Sequence, residues 1–146
     1  MKKKSMQIIV TGGAGFIGSH LARKLVQIGH RVTVIDDFSR GTKENLEGIE
    51  QTYSIVQKDL RSDNGLDEVF EGHDIVFNLA ALNTGVDYDL GRTQIMFEDN
   101  MLLQMIPLKV AARTKSIKKF VQISSASVYS RNAMEEEVPT PETADT

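Results

Sequence analysis

Apolar positions along the chain fall into short runs separated by glycine-rich or polar breaks, and the runs alternate between two periods. Met6 to Val10 is almost continuously apolar, which fits a strand covered on both faces. The next pattern has helical spacing: Ile17, Leu21, Leu25 and Ile28 predict a helix over Phe16 to Ile28, closed by Gly29. Val32, Val34 and Ile35 mark a second strand, Arg31 to Ile35, which ends at Asp36-Asp37. A polar loop, Ser39 to Glu47, leads to a third strand at Tyr53 to Gln57. A short helix from about Gly65 to Phe70, stopped by Gly72, precedes a fourth strand at Asp74 to Leu79. After a loop, Leu82 to Arg92, comes a long helix at Thr93 to Thr114, then a fifth strand at Phe120 to Ile123.

Strands alternating with helices predict an open α/β fold, a Rossmann-type doubly wound parallel sheet of order 3-2-1-4-5 joined by right-handed crossovers. The expected organisation is one domain over residues 1–129 and a polar loop or tail over 130–146, where Glu135, Glu136, Glu137, Pro139 and Pro141 cluster. The long helix departs from the usual one-faced pattern. Ile95, Met96, Met101, Leu102, Met105, Ile106 and Val110 surround much of it, more than one buried face requires, so part of it is expected to meet a partner subunit. Pro107 is expected to kink it.

The break between the first strand and helix carries candidate chemistry. Gly13, Gly15 and Gly18 match G-x-G-x-x-G, and Gly12, Gly15 and Gly18 match a looser G-x-x-G-x-x-G. In a strand-turn-helix such glycines allow a tight turn, approach of backbone to a pyrophosphate, and close packing of helix on sheet. The helix start, with Phe16 and Ile17, offers unpaired N–H groups and the positive end of its dipole to phosphate. Asp36 lies 18 positions after Gly18, at the tip of the second strand, where a carboxylate accepts both ribose hydroxyls and repels a 2′-phosphate. NAD is therefore expected over NADP, with Asp37 and Arg40 beside the ribose. Arg40 could also face a phosphate or solvent. Ala80-Ala81, at the end of a central strand, leaves room for a ligand against the backbone.

Composition narrows the class. At 146 residues, with 40% hydrophobic and 25% charged residues, the chain suits one ordinary globular domain. A net charge of -3 argues against nucleic-acid binding, and the absence of cysteine removes disulfides and thiolate metal sites. Lys2, Lys3 and Lys4 lack a following apolar stretch, and no segment reaches membrane-span length, so a cytoplasmic protein with no membrane partner and no metal is expected.

In order and spacing, Thr11-Gly12-Gly13-Ala14-Gly15-Phe16-Ile17-Gly18, Val34-Ile35-Asp36-Asp37, Lys58-Asp59-Leu60, Phe77-Asn78-Leu79-Ala80-Ala81 and Ile123-Ser124-Ser125-Ala126-Ser127-Val128-Tyr129 resemble the N-terminal, NAD-binding half of the extended short-chain dehydrogenase/reductase family. These are the NAD-dependent epimerases and dehydratases of nucleotide sugars. The resemblance implies that Asp59 and the Leu60 backbone hold the adenine, Asp59 accepting from its amino group. It places Leu79, Ala80 and Ala81 beside the pyrophosphate and nicotinamide ribose. Asn100 would help shape the active site, and Ser125 would be the catalytic hydroxyl. The stretch around Met96-Phe97-Glu98-Asp99-Asn100-Met101 resembles members acting on GDP-sugars. The shared chemistry is hydride transfer from a sugar carbon to NAD through a keto-sugar intermediate.

The family's general base, a tyrosine in Y-x-x-x-K, has no counterpart: Tyr129 is followed by Ser130-Arg131-Asn132-Ala133. Without it this chain is expected to bind cofactor without turnover. The alternative is a stand-alone, non-catalytic NAD-binding module that senses or regulates through a partner.

Overall fold

The computed structural model describes residues 5–48, 53–82, 93–125, 128–129 and 141. Its elements are β1 (Gln7–Thr11), α1 (Phe16–Gln27), β2 (Arg31–Asp36), β3 (Tyr53–Gln57), α2 (Leu66–Phe70), β4 (Ile75–Asn78), α3 (Thr93–Arg113) and β5 (Lys119–Gln122). The five strands form one sheet of order β3-β2-β1-β4-β5, and every recorded pairing is parallel. This is the expected Rossmann-type order. Boundaries fall within one or two residues of those expected from the pattern. Beyond Leu82, the loop expected over Leu82 to Arg92 lies outside the described residues, as does the polar tail apart from Pro141.

Strand alternation explains the two cores. Ile8, Val10, Val32 and Val34 join Ala22, Leu25 and Leu46 in one buried cluster, while Ile9, Ile35 and Val76 join Leu66, Phe70 and Val110 in another. A parallel sheet buried on both faces has to be apolar at successive positions, and β1 is. Each such side chain fully removed from water contributes about 1.5–3 kcal/mol.

Helix α1 ends as its glycine requires. Gly29 adopts φ +92°, its N–H donates to the Val26 carbonyl at 2.9 Å, and the His30 N–H reaches back to Leu25 at 3.0 Å. These two bonds form a Schellman C-cap. The region read as a polar loop holds a single 3₁₀ turn, Lys43–Leu46, which drops Leu46 completely into the core. One apolar residue in a polar run has no period to announce it. The same turn lets Asn45 Nδ2 donate to the Ala14 carbonyl at 2.8 Å, so this segment braces the glycine turn.

Helix α3 is continuous through Pro107, which is buried. Leu103, Ile106, Val110 and Ala111 face the core, while Phe97, Met101, Met105 and Leu108 are 66%, 40%, 43% and 50% exposed. Among the described residues no helix is long and apolar enough to cross a membrane.

Candidate functional site

A cavity of about 710 Å³ opens at the carboxyl ends of β1, β2 and β4, where doubly wound sheets take ligands. Of the candidate residues, Gly12, Gly15, Phe16, Ile17, Gly18, Asp36, Asp37, Arg40, Leu60, Leu79, Ala80 and Ala81 line it. Asp59, Asn100 and Ser125 do not, although the first two each hold a group that does.

At the glycine turn the wall is backbone. Gly12 has φ +60°, and a Cβ there would meet the Ala80 Cα and N at 3.0 Å. At Gly18 a Cβ would stand 2.2 Å from the Gly12 carbonyl oxygen, so only glycine lets α1 start this close to the turn. Gly13 is pressed against Val34 and serves packing; the looser glycine spacing is therefore the one that faces the cavity. Gly15 is the extended N-cap of α1 and supplies no side-chain cap. Among the described residues the N–H groups of Phe16, Ile17 and Gly18 donate to no protein oxygen; the helical pairing begins with Ser19, whose N–H donates to the Gly15 carbonyl at 3.0 Å. Three free donors at the positive end of a helix form an anion cradle.

Asp36 closes β2 and is 7% exposed. Its Oδ2 accepts the Ala14 N–H and its Oδ1 the Phe38 N–H, both at 2.9 Å. Both bonds fix the carboxylate in the cavity wall while leaving each oxygen further acceptor capacity. Phe38 has φ +59°, a left-handed conformation rare for an aromatic residue; the ring packs on the core and Lys43 Nζ sits 5.6 Å from its centroid. Asp37 is held differently, accepting from the Ser39 N–H and hydroxyl at 2.9 and 2.6 Å.

The β4 wall rests on a buried polar network that the sequence motif contained without revealing its role. Thr11 Oγ1 donates to Asn78 Oδ1 at 2.6 Å and accepts the N–H groups of Leu79 and Ala80 at 3.1 and 3.2 Å. Asn78 Nδ2 in turn donates to the Leu103 carbonyl at 3.1 Å and to Gln122 Oε1 at 2.9 Å. Four elements, β1, β4, α3 and β5, thereby fix the strip Leu79-Ala80. Asn100 extends the brace: its amide accepts from the Leu82 N–H at 2.7 Å and donates to the Leu82 carbonyl at 2.9 Å.

At the far rim stands Arg61, which pattern reading did not single out. Its Nε and Nη2 grip the Asp59 carboxylate at 2.8 to 3.1 Å, and its Nη1 donates to Asp99 Oδ2 on α3 at 2.8 Å. Arg61 holds the Asp59 carboxyl below its ordinary range, and the two carboxylates raise the guanidinium further above its own. Asp99 lies 38 residues from Arg61, and no local pattern links them. Ser125 follows β5, is exposed, and its carbonyl accepts the Val128 N–H at 3.2 Å. Among the described residues no group of three His, Cys, Asp or Glu is placed to hold a metal ion.

Comparison with known proteins adds identity to this geometry. The chain is 36% identical over 131 residues to a UDP-N-acetyl-alpha-D-glucosaminuronate decarboxylase of Bacillus cytotoxicus, covering 90% of this chain and 39% of that protein. It is 34% identical to a dTDP-glucose 4,6-dehydratase of Streptomyces niveus, covering 92% and 43%. The structure of UDP-glucose-4-epimerase from Stenotrophomonas maltophila with bound NAD superposes with a TM-score of 0.82 at 30% identity, over 97% of this chain and 42% of that one. The chain thus spans about two fifths of the length of these relatives, matching their N-terminal part. The family model described as "NAD dependent epimerase/dehydratase family" matches residues 8–146, and the chain belongs to that family.

Proposed function

We propose that this chain is the NAD-holding portion of a nucleotide-sugar epimerase or dehydratase. The single observation that carries the reading is the pairing of the Phe16-Ile17-Gly18 anion cradle with the buried Asp36 carboxylate along one cavity wall. The cradle suits a diphosphate, and the carboxylate suits an unphosphorylated ribose. The residues fit the cofactor: a Cβ at Gly12 or Gly18 would fill the space against Ala80 or the turn, and glycine leaves it clear. Asp37 and Arg40 flank the ribose, the Asp59-Leu60 turn bounds the adenine end, and Leu79, Ala80 and Ala81 carry the nicotinamide end. Ser125 is the proposed hydroxyl toward the reacting sugar, and Asn100 positions the Leu82 backbone in the cavity wall. When bound, NAD accepts hydride from a sugar carbon.

None of the three tyrosines, Tyr53, Tyr88 and Tyr129, has a lysine four positions on, so within these 146 residues no Y-x-x-x-K pair exists to remove the hydroxyl proton. Cofactor binding without turnover is the activity expected of the chain. Isothermal calorimetry should show NAD bound more tightly than NADP, and D36A should weaken NAD far more than S125A. Equal affinities for the two dinucleotides would remove the role given to Asp36.

The substrate of the whole enzyme is a nucleoside diphosphate sugar. The narrower expectation of a GDP-sugar draws on the stretch before and including Met96 to Met101, part of which lies outside the described residues; tighter inhibition of the full enzyme by UDP than by GDP would replace it. A second copy of the chain is the proposed cover for Phe97, Met101, Met105 and Leu108, which recur at helical spacing on the side of α3 away from Leu103 and Val110. Light scattering should then report a dimer, and M105E a monomer.

A further inference from the structure

We infer that His73 is an acid-sensitive latch: its neutral ring ties edge strand β3 to β2 and to the turn before β4 through a chain of hydroxyls, and a proton on the ring loosens that corner of the sheet. Thr33 Oγ1 on β2 stands 2.8 Å from His73 Nε2 and 2.9 Å from the Ser54 hydroxyl on β3. His73 Nδ1 lies 3.3 Å from the Glu71 carbonyl, which can only accept. The neutral ring therefore carries its proton on Nδ1 and accepts the Thr33 hydroxyl at Nε2. With its own proton spent, Thr33 Oγ1 accepts from Ser54. Each hydrogen of the chain is thereby directed, from β3 through β2 to the ring.

A proton on Nε2 reverses that order. Thr33 must then accept from the ring and turn its own proton toward Ser54, whose exposed hydroxyl can find water. The hydrogen bonds survive, so the cost lies in placing a charge on a half-buried ring. Among the described residues the charged side chain that bears on the ring is Asp74, at the entry to β4, and it favours the proton. Its oxygens are already engaged, by the Gln7 N–H at 2.9 Å and the Lys118 ammonium at 2.5 Å. The other facing groups are uncharged: hydroxyls from β2 and β3, and the carbonyls of Val69, Phe70 and Glu71 at the end of α2. Burial outweighs them and holds the imidazole below its ordinary range. A histidine depressed in this way contributes stability that is complete above its unfolded value, near 6.5, and is lost as pH falls through the folded one. The loss falls on a weakly held strand: β3 is the sheet edge, paired with β2 alone among the described residues, and it runs directly into Lys58 and Leu60 of the cavity wall.

Native-state hydrogen exchange on the full chain tests this, read at about pH 7.5 and about pH 5.5 and corrected for the intrinsic rate at each. In the wild type the β3 amides should lose protection several-fold in acid, and the β1 amides only slightly. H73Q keeps a neutral partner for Thr33 and cannot take up a proton, so its β3 amides should hold their protection across the same window. T33V leaves a protonated Nε2 without its acceptor and should enlarge the acid loss, since bonds made by a charged group are the stronger ones. An acid loss in H73Q equal to that of the wild type would overturn the inference, placing the response in carboxylates elsewhere. So would a loss as large in β1 as in β3, which is global unfolding rather than release of one corner, or a T33V loss smaller than that of the wild type. Should H73Q fail to fold by circular dichroism, NMR titration of the wild-type chain decides. The His73 ring should then titrate below its ordinary range with the β3 amide shifts following the same curve; a ring titrating at its ordinary value beside silent β3 amides would overturn the latch. None of these readouts depends on whether the cavity binds NAD.

Discussion

The two ends of the cavity are built from different materials. The glycine end, Gly12 to Gly18, is backbone: free N–H groups, a left-handed turn and gaps where side chains would stand. The rim end is side chain: a guanidinium suspended between carboxylates from two distant elements. Backbone sites are rigid because the turn and helix that make them cannot form otherwise, and they tolerate almost no added atom. Side-chain sites are adjustable, partly exposed, and each contact is individually weak. The glycine end should therefore fail abruptly under substitution and the rim end gradually.

The sharpest way to break that contrast is G18A. The added Cβ would meet the Gly12 carbonyl oxygen at 2.2 Å and the Gly13 Cα at 2.7 Å, all backbone with no flexible side chain to give way. A loss on the order of 3 kcal/mol is expected in urea unfolding, together with loss of measurable NAD binding. G15A separates fold from ligand at the same end. Gly15 has φ -73°, and its Cβ would find only the Gly12 oxygen, at 3.2 Å. Stability should fall by less than about 1 kcal/mol while the methyl group obstructs the diphosphate. If G15A binds NAD as tightly as the wild type, the phosphates do not lie over this turn.

Between the two ends, the Ala80 wall depends on a buried hydroxyl. T11V keeps the shape but removes Oγ1, stranding the N–H groups of Leu79 and Ala80 and the side-chain Oδ1 of Asn78. About 2 kcal/mol of destabilisation is expected from leaving buried polar groups unpaired. Denaturant unfolding at unchanged m-value is the check, and a neutral result would mean that the four-element brace carries no stability.

The same contrast explains what could be read from the chain alone. Strands β1 and β2, helix α1 and the glycine turn were legible because each depends on neighbours in sequence: Ile8 to Val10 for burial, Gly29 for the cap, Gly18 for close packing. Asp36 was legible because its distance from Gly18 is fixed by one helix and one strand. Leu46 was not, since a lone apolar residue between Asn45 and Glu47 has no periodicity. Arg61 with Asp99, and Thr11 with Asn78, were hidden for a different reason. Sheet order and the placement of α3 bring them together, across 38 and 67 residues, and no spacing rule encodes such pairs. The exposed stripe of α3 was legible only as an excess of apolar residues; which of them face outward followed from the seating of Leu103 and Val110.

The smallest expected effect belongs to the rim and tests its gradual character. Arg61 depresses the Asp59 carboxyl below its ordinary value near 3.8. A group whose folded value is depressed contributes stability that is complete above the unfolded value and is lost as pH falls through the folded one. The contribution of the Asp59–Arg61 pair should therefore be intact at neutral pH and disappear on acidification below the ordinary carboxylate range. With side chains 46% and 39% exposed, solvent screens the pair, and its size should be no more than about 0.5 kcal/mol. D59N should accordingly lower the unfolding midpoint slightly at pH 7 and converge on the wild type in acid. High salt should shrink the neutral-pH difference, because exposed charges are screened by ions as buried contacts are not. A D59N loss that persists in acid or in molar salt would show that the rim, like the glycine turn, is held by packing, and that the two ends of the cavity are built alike.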